Sequence, residues 1–180
     1  MKYICVYCGS NLGNNAAYQV EAKLLAKSLV ENNLGLVYGG SNIGMMNIIA
    51  SEVLSLGGEV LGVTPKVIYE RGLAKQNLTA LHKVDSMHER KLLMEQLAHG
   101  FITFPGGFGT LDELCEIVTW AQLEIHSKPC GLLNFNSYFK YFLLQIEQSV
   151  QEGFIKAKHA QNLIVQESAI EIVKAVNKRL

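Results

Sequence analysis

The segment GFITFPGGFGTLDE (residues 100–113) sets the reading of the whole chain. Phe101–Phe104 is a short β-rich apolar run, and Pro105 closes it because proline has no N–H for a sheet ladder. Gly106, Gly107 and Gly109 permit left-handed φ and close approach of another backbone. Thr110 is expected to open a helix over Leu111–Ile125, where Leu111, Leu114, Val118, Ala121 and Ile125 recur with helical period. A strand, a glycine-rich turn and a helix in this order make half of a βαβ unit.

The same alternation extends both ways. Further strands are expected at Tyr3–Tyr7, Gly35–Tyr38, Glu59–Thr64, Leu78–Val84, Cys130–Leu133 and Leu163–Val165. Several are continuous apolar runs, as in strands covered on both faces. Helices are expected at Ala17–Glu31 (through Val20, Leu24, Ala26, Leu29 and Val30), Ile43–Leu56, Met87–Ala98, Tyr138–Gln151 and Ala169–Lys178. Gly57-Gly58 stops the second of these. The pattern predicts an α/β fold, a Rossmann-like doubly wound parallel sheet of six to seven strands, in one domain over residues 1–180.

Ligands of such sheets bind outside the carboxyl ends of the strands, where strand order reverses. Three glycine-rich loops directly follow predicted strands: CGSNLG (8–13), GGSNIG (39–44) and PGGFGT (105–110). Parallel strands would bring all three to one edge, with Ser10 and Gly40 beside the third loop. The common nucleotide templates are absent. There is no GxxxxGK[ST], Asp112 stands where GxGxxG needs its last glycine, and no acid ends the second strand to hold a dinucleotide ribose. A kinase or dinucleotide-dependent dehydrogenase is thereby disfavoured.

The 180 residues include 16 basic and 16 acidic side chains, a balance that gives no field for a nucleic-acid polymer or anionic membrane. A small ligand remains. Charged residues are 18%, against about 25% ordinarily, so either the core is large or a second subunit covers some surface. No apolar run approaches the ~18 residues of a membrane span, and Tyr3–Cys8 is too short for a signal-peptide core. These features predict a soluble cytoplasmic protein. Cys5 and Cys8 form a CxxC, but on a strand they fall on opposite faces, so buried free thiols are expected rather than a zinc site.

The PGGFGT amides at a helix start form a ready anion site. Thr110–Glu113 also fits a capping box, as does Ser86–Glu89. The surplus glycines favour the ligand reading for Glu113, whereas a cap suffices for Glu89. Arg90 and Lys91 lie in the first turn of a helix, where the dipole disfavours cations. That placement predicts an anionic ligand or a carboxylate partner.

Together these segments resemble the Lonely Guy family of cytokinin riboside 5'-monophosphate phosphoribohydrolases, often mislabelled lysine decarboxylases. The signature PGGxGTxxE stands at Pro105–Glu113, with MHERK at 87–91. VYCGSNLG (6–13), VYGGSNIGMMN (37–47), WAQLEIHSKPCGLLN (120–134) and EGFI (152–155) match further family blocks. The resemblance implies Arg90 and Glu113 as the catalytic pair. Gly106, Gly107, Gly109 and Thr110 would cradle phosphate, Lys91 and Thr119 would contact the nucleotide, and Met87 would lie near the base. It implies no metal or redox cofactor, and a homodimer or higher oligomer with sites close to the interface. Ser41, Asn47 and Glu124 stand where the family usually has glycine. Glu70 is the nearest match to an acidic ligand-contacting position after Pro65.

The reaction so implied is hydrolysis of the N-glycosidic bond of AMP or an N6-prenylated AMP, yielding the base and ribose 5-phosphate. The competing reading is a non-catalytic nucleotide or molybdenum-cofactor carrier, which shares the glycine loops; the presence of both Arg90 and Glu113 discriminates. Lysine decarboxylation is disfavoured, since no Schiff-base lysine beside a phosphate cradle is apparent.

Overall fold

The computed structural model describes all 180 residues. The strands are β1 (Lys2–Tyr7), β2 (Leu34–Tyr38), β3 (Val60–Pro65), β4 (Ala80–Val84), β5 (Gly100–Thr103), β6 (Cys130–Leu133) and β7 (Leu163–Gln166). The helices are α1 (Ala17–Glu31), α2 (Gly44–Ser55), α3 (Lys66–Glu70), α4 (Met87–Leu97), α5 (Phe108–Gln122), α6 (Lys140–Gln151), α7 (Ala157–Ala160) and α8 (Ala169–Asn177). All seven strands join one parallel sheet in the order β4-β3-β2-β1-β5-β6-β7. The predicted elements are all present, and the short helices α3 and α7, with four or five residues and no buried side chain, are additions. None of the helices is long and apolar enough to cross a membrane.

The chain builds outward from β1 to β4, then returns to lay β5 on the other side of β1. Strand order therefore reverses between β1 and β5, which fixes the crevice there. One face of the sheet packs α1, α2 and α8 around Ile4, Val6, Leu25, Leu36, Ile49 and Ile172. The other carries Tyr7, Val63, Met94, Phe101 and Ile117 under α4 and α5. Cys5 and Cys8 fall in opposite core clusters, as strand alternation requires. All four cysteines are free; Cys115 differs from the rest in being exposed, because it lies on the outer face of α5.

Two stripes are rotated from expectation. In α1 the buried side chains are Glu21, Ala22, Leu25, Ala26, Ser28 and Leu29, while Val20 and Leu24 are exposed. Glu21 accepts the Ala169 N–H and so caps α8 from another helix. In α5 the buried residues are Thr110, Glu113, Leu114 and Ile117, and Ile125 lies exposed beyond the helix. The helix also starts three residues earlier than expected, at Phe108 after the cap Gly107. Its first turn tolerates Gly109 because the amides there have no helical acceptor in any case.

Candidate active site

The three glycine-rich loops leave the adjacent strands β2, β1 and β5 at one edge. The Gly9 N–H donates to Pro105 O at 3.2 Å, and Met45 N–H donates to Gly9 O at 3.1 Å, which locks the loops together. Gly106 is required by this approach: a Cβ there would meet Thr110 Oγ1 at 2.1 Å and Gly9 N at 2.7 Å. Around Gly107 and Gly109, by contrast, a Cβ would meet nothing within 4 Å. The space above the loop is open.

The amides of this loop are uncommitted. From Gly106 to Thr110 none donates to a protein acceptor, and the first that does is Leu111, to Gly107 O at 3.1 Å. Five successive donors at the start of a 15-residue helix make a site for a phosphate or carboxylate. A cavity of about 220 Å³ adjoins it, lined by Gly9–Gly13, Tyr18, Met45, Phe104–Gly107 and Tyr138. Ser10 lines this cavity and is exposed. Gly40 lies at the neighbouring strand end, where its carbonyl accepts from Lys75 N–H. A larger cavity, about 640 Å³ between Val118 and Arg179, includes the residues that precede β6 and lies toward the amino ends of the strands, away from this edge.

Beneath the loop lies a buried ion pair. Arg90 Nη1 meets Glu113 Oε1 at 2.9 Å, with only 10% and 11% of the two side chains exposed. Arg90 is fixed from two further sides. Its Nε donates to Val63 O at 3.3 Å, and its guanidinium crosses Gly39, where a Cβ would fall 2.0 Å from Nη2. Burial pushes the Glu113 carboxyl above its ordinary value, and the Arg90 guanidinium opposes that rise without cancelling it. Thr110 is the third residue of α5 rather than its cap, so Glu113 closes no capping box and turns to Arg90 instead. Ser86 does cap α4, accepting the Glu89 N–H, while Glu89 reaches back one residue further and accepts the Asp85 N–H.

Both cations near the start of α4 thus find carboxylates on α5. Lys91 Nζ lies 3.1 Å from Asp112 and 3.0 Å from Glu116, with 12% of its side chain exposed. The structure therefore commits the Lys91 ammonium to α5 and leaves the loop amides to meet an anion. Met87, the first residue of α4, is exposed near the start of that helix. Thr119 is set apart, nine residues past Thr110 and so about 13 Å along the helix axis. Its hydroxyl donates to Cys115 O and it faces the groove between α5 and α6.

The positions where glycine is usual also have local explanations. Ser41 is buried and its Oγ accepts the Ile43 N–H. Asn47 Oδ1 accepts from Lys75 Nζ at 3.0 Å, tying α2 to the segment after α3. Glu124 has φ 60° at the end of α5, where Ile125 N–H returns to Trp120 O and Glu124 N–H to Ala121 O. That is the left-handed helix stop at which glycine is the least strained residue. Glu70 ends α3 and is exposed. No group of three His, Cys, Asp or Glu side chains is placed to hold a metal ion.

Known proteins resemble the chain over most of its length. A family model described as "Possible lysine decarboxylase" matches residues 46–176. The cytokinin riboside 5'-monophosphate phosphoribohydrolase LOG1 of Arabidopsis thaliana is 43% identical over 173 residues, covering 96% of this chain and 81% of that protein. The corresponding LOG of Oryza sativa subsp. japonica is 47% identical over 162 residues, covering 90% and 66%. The chain belongs to the Lonely Guy family. Among solved structures, the molybdenum cofactor binding protein of Rippkaea orientalis superposes with a TM-score of 0.74 at 16% identity, over 98% of this chain and 96% of that one. A Moco carrier protein of Chlamydomonas reinhardtii gives 0.72 at 18%, over 99% and 96%. At such identity these neighbours share the fold of this Lonely Guy member.

Proposed function

We propose that this chain hydrolyses the N-glycosidic bond of cytokinin riboside 5'-monophosphates and related purine nucleoside monophosphates, releasing the base and ribose 5-phosphate. The observation that carries the reading is the buried Arg90–Glu113 pair directly beside five uncommitted amides, in a chain 41–48% identical to named phosphoribohydrolases. Cleavage of the bond builds positive charge on the ribose ring. Glu113 is the carboxylate that stabilises this charge and orients the water whose oxygen bonds to C1′ as the C1′–N bond breaks; the electron pair of that bond leaves with the base, which takes up in net the proton the water loses. Arg90 holds Glu113 in place and opposes the rise that burial imposes on its carboxyl. The Gly106–Thr110 amides bind the 5'-phosphate, and this remote binding fixes the ribose over Glu113. Ser10 lines the adjoining cavity, and the family resemblance assigns Gly40 to substrate contact and Met87 to the base.

A carrier without chemistry is the weaker reading. Binding a nucleotide requires the amides but not a carboxylate buried against an arginine, a costly arrangement when it does no chemistry. Incubation of the purified protein with AMP and with N6-prenylated AMP, followed by chromatography of the free bases, tests the proposal. Release of neither base, with nucleotide binding intact, would favour the carrier.

The active unit is a homodimer in this proposal. α6 buries none of its residues completely, and Tyr141 and Leu144 on it are exposed. Phe108, Leu123, Ile125 and Phe154 are also exposed around α5 and α6. A second copy of the chain would cover this surface and bring the Thr119 groove against a neighbour.

A further inference from the structure

Tyr138 stands outside the signature segments that bear charge, yet it touches the phosphate loop directly. Its hydroxyl donates to Gly106 O at 2.7 Å across 32 positions of sequence. Its ring meets Tyr18 edge-on at 5.9 Å and lines the 220 Å³ cavity with it. The approach to Tyr138 is tightly specified. Asn136 and Ser137 adopt φ 53° and 56°, a strained pair for residues other than glycine. Asn134 Oδ1 accepts Phe139 N–H at 2.8 Å, and Asn134 N–H donates to Gln166 O at 2.7 Å, so both sides of the turn are anchored to β7 and α6.

The peptide between Gly106 and Gly107 is the one most easily rotated in the loop, because glycine flanks it on both sides. The C=O and N–H of a trans peptide point in opposite directions. A flip would turn the Gly106 carbonyl toward a bound anion and remove the Gly107 N–H from it. From this geometry we infer that Tyr138 is a positioning residue for the reaction: its hydroxyl holds the Gly106 carbonyl back and so keeps the Gly107 N–H among the donors to the substrate phosphate. This rests on the phosphoribohydrolase reading above.

The test compares wild type with Tyr138→Phe, which keeps the ring and its packing on Tyr18. KM and kcat are measured with AMP, and affinities for ribose 5-phosphate and for adenine by calorimetry. A net hydrogen bond of about 0.5–1.5 kcal/mol corresponds to a change of about 2- to 13-fold. The expected result is that rise in KM for AMP and in the dissociation constant of ribose 5-phosphate, with kcat and adenine affinity nearly unchanged. Unchanged ribose 5-phosphate affinity overturns the inference, and so does equal loss for both ligands, which would mean general loosening of the pocket. If wild type binds ribose 5-phosphate but releases no base from AMP, the reaction reading falls, while the affinity ratio still decides the role of Tyr138. A wild type that binds no phosphate ester overturns both.

Discussion

Glu113 meets two opposed demands. Burial favours its neutral form, and Arg90 at 2.9 Å favours the carboxylate. Replacing such a pair with apolar residues is often neutral or stabilising, so stability alone does not explain it, and the proposed role in hydrolysis does. Glu113→Gln keeps the shape and removes the charge. Turnover of AMP should fall about 100-fold or more, while ribose 5-phosphate still binds when followed by calorimetry. An active variant would reduce Glu113 to a partner for Arg90. The pH dependence follows from the same pair. The proposed role needs Glu113 ionised, and burial raises its value above the ordinary 4.5, so kcat/KM should fall on acidification sooner than for an exposed carboxylate. A pH profile with its acid limb at or below that ordinary value would contradict this assignment.

Among the elements, α5 does most of the work at the site. Its first turn offers the amides, its second turn offers Glu113 to Arg90, and Asp112 and Glu116 hold Lys91. These contacts staple α4 to α5, and any shift between the helices would also move Glu113 relative to the loop. Charge-assisted hydrogen bonds contribute about 1.5–3 kcal/mol each, so two from the loop to a phosphate correspond to about 10²- to 10⁴-fold. AMP should therefore be hydrolysed with kcat/KM at least about 10²-fold above adenosine, measured by release of adenine. Equal rates on the two would remove the loop from substrate binding.

At the scale of the molecule, a doubly wound sheet needs helices on both faces, and the α4–α5–α6 layer is less completely covered than the α1–α2–α8 layer. α8 buries four of its nine residues, whereas α6 buries none of its twelve. An amphipathic helix left this open is the face on which a second copy would fit, with an interface resembling a domain core. Light scattering at low micromolar concentration should give twice the 19.9 kDa chain mass. A stable and fully active single chain would separate the interface from catalysis.

Element order and type were legible in the sequence because their signals are local. Apolar runs of strand length, stripes of helical period and glycine at the strand ends placed seven strands and the main helices, and put three loops on one edge before any contact was known. The helix cap at Ser86 was legible for the same reason. The start of α5 was not legible: Thr110 is expected to open the helix, but the loop's path from β5 starts it at Phe108, and the surplus glycines already pointed away from a cap at Glu113. Partners across the sheet required the tertiary structure. Strand order set Gly9 against Pro105. The angle between α4 and α5 sent Arg90 to Glu113 and Lys91 to Asp112 and Glu116. Packing of α1 on α8 took Glu21 to the Ala169 amide, and the anchored turn before α6 took Tyr138 to Gly106. The sequence supplies the charges and hydroxyls; which of them meet depends on the faces that hydrophobic burial brings together, and that is a property of the whole fold.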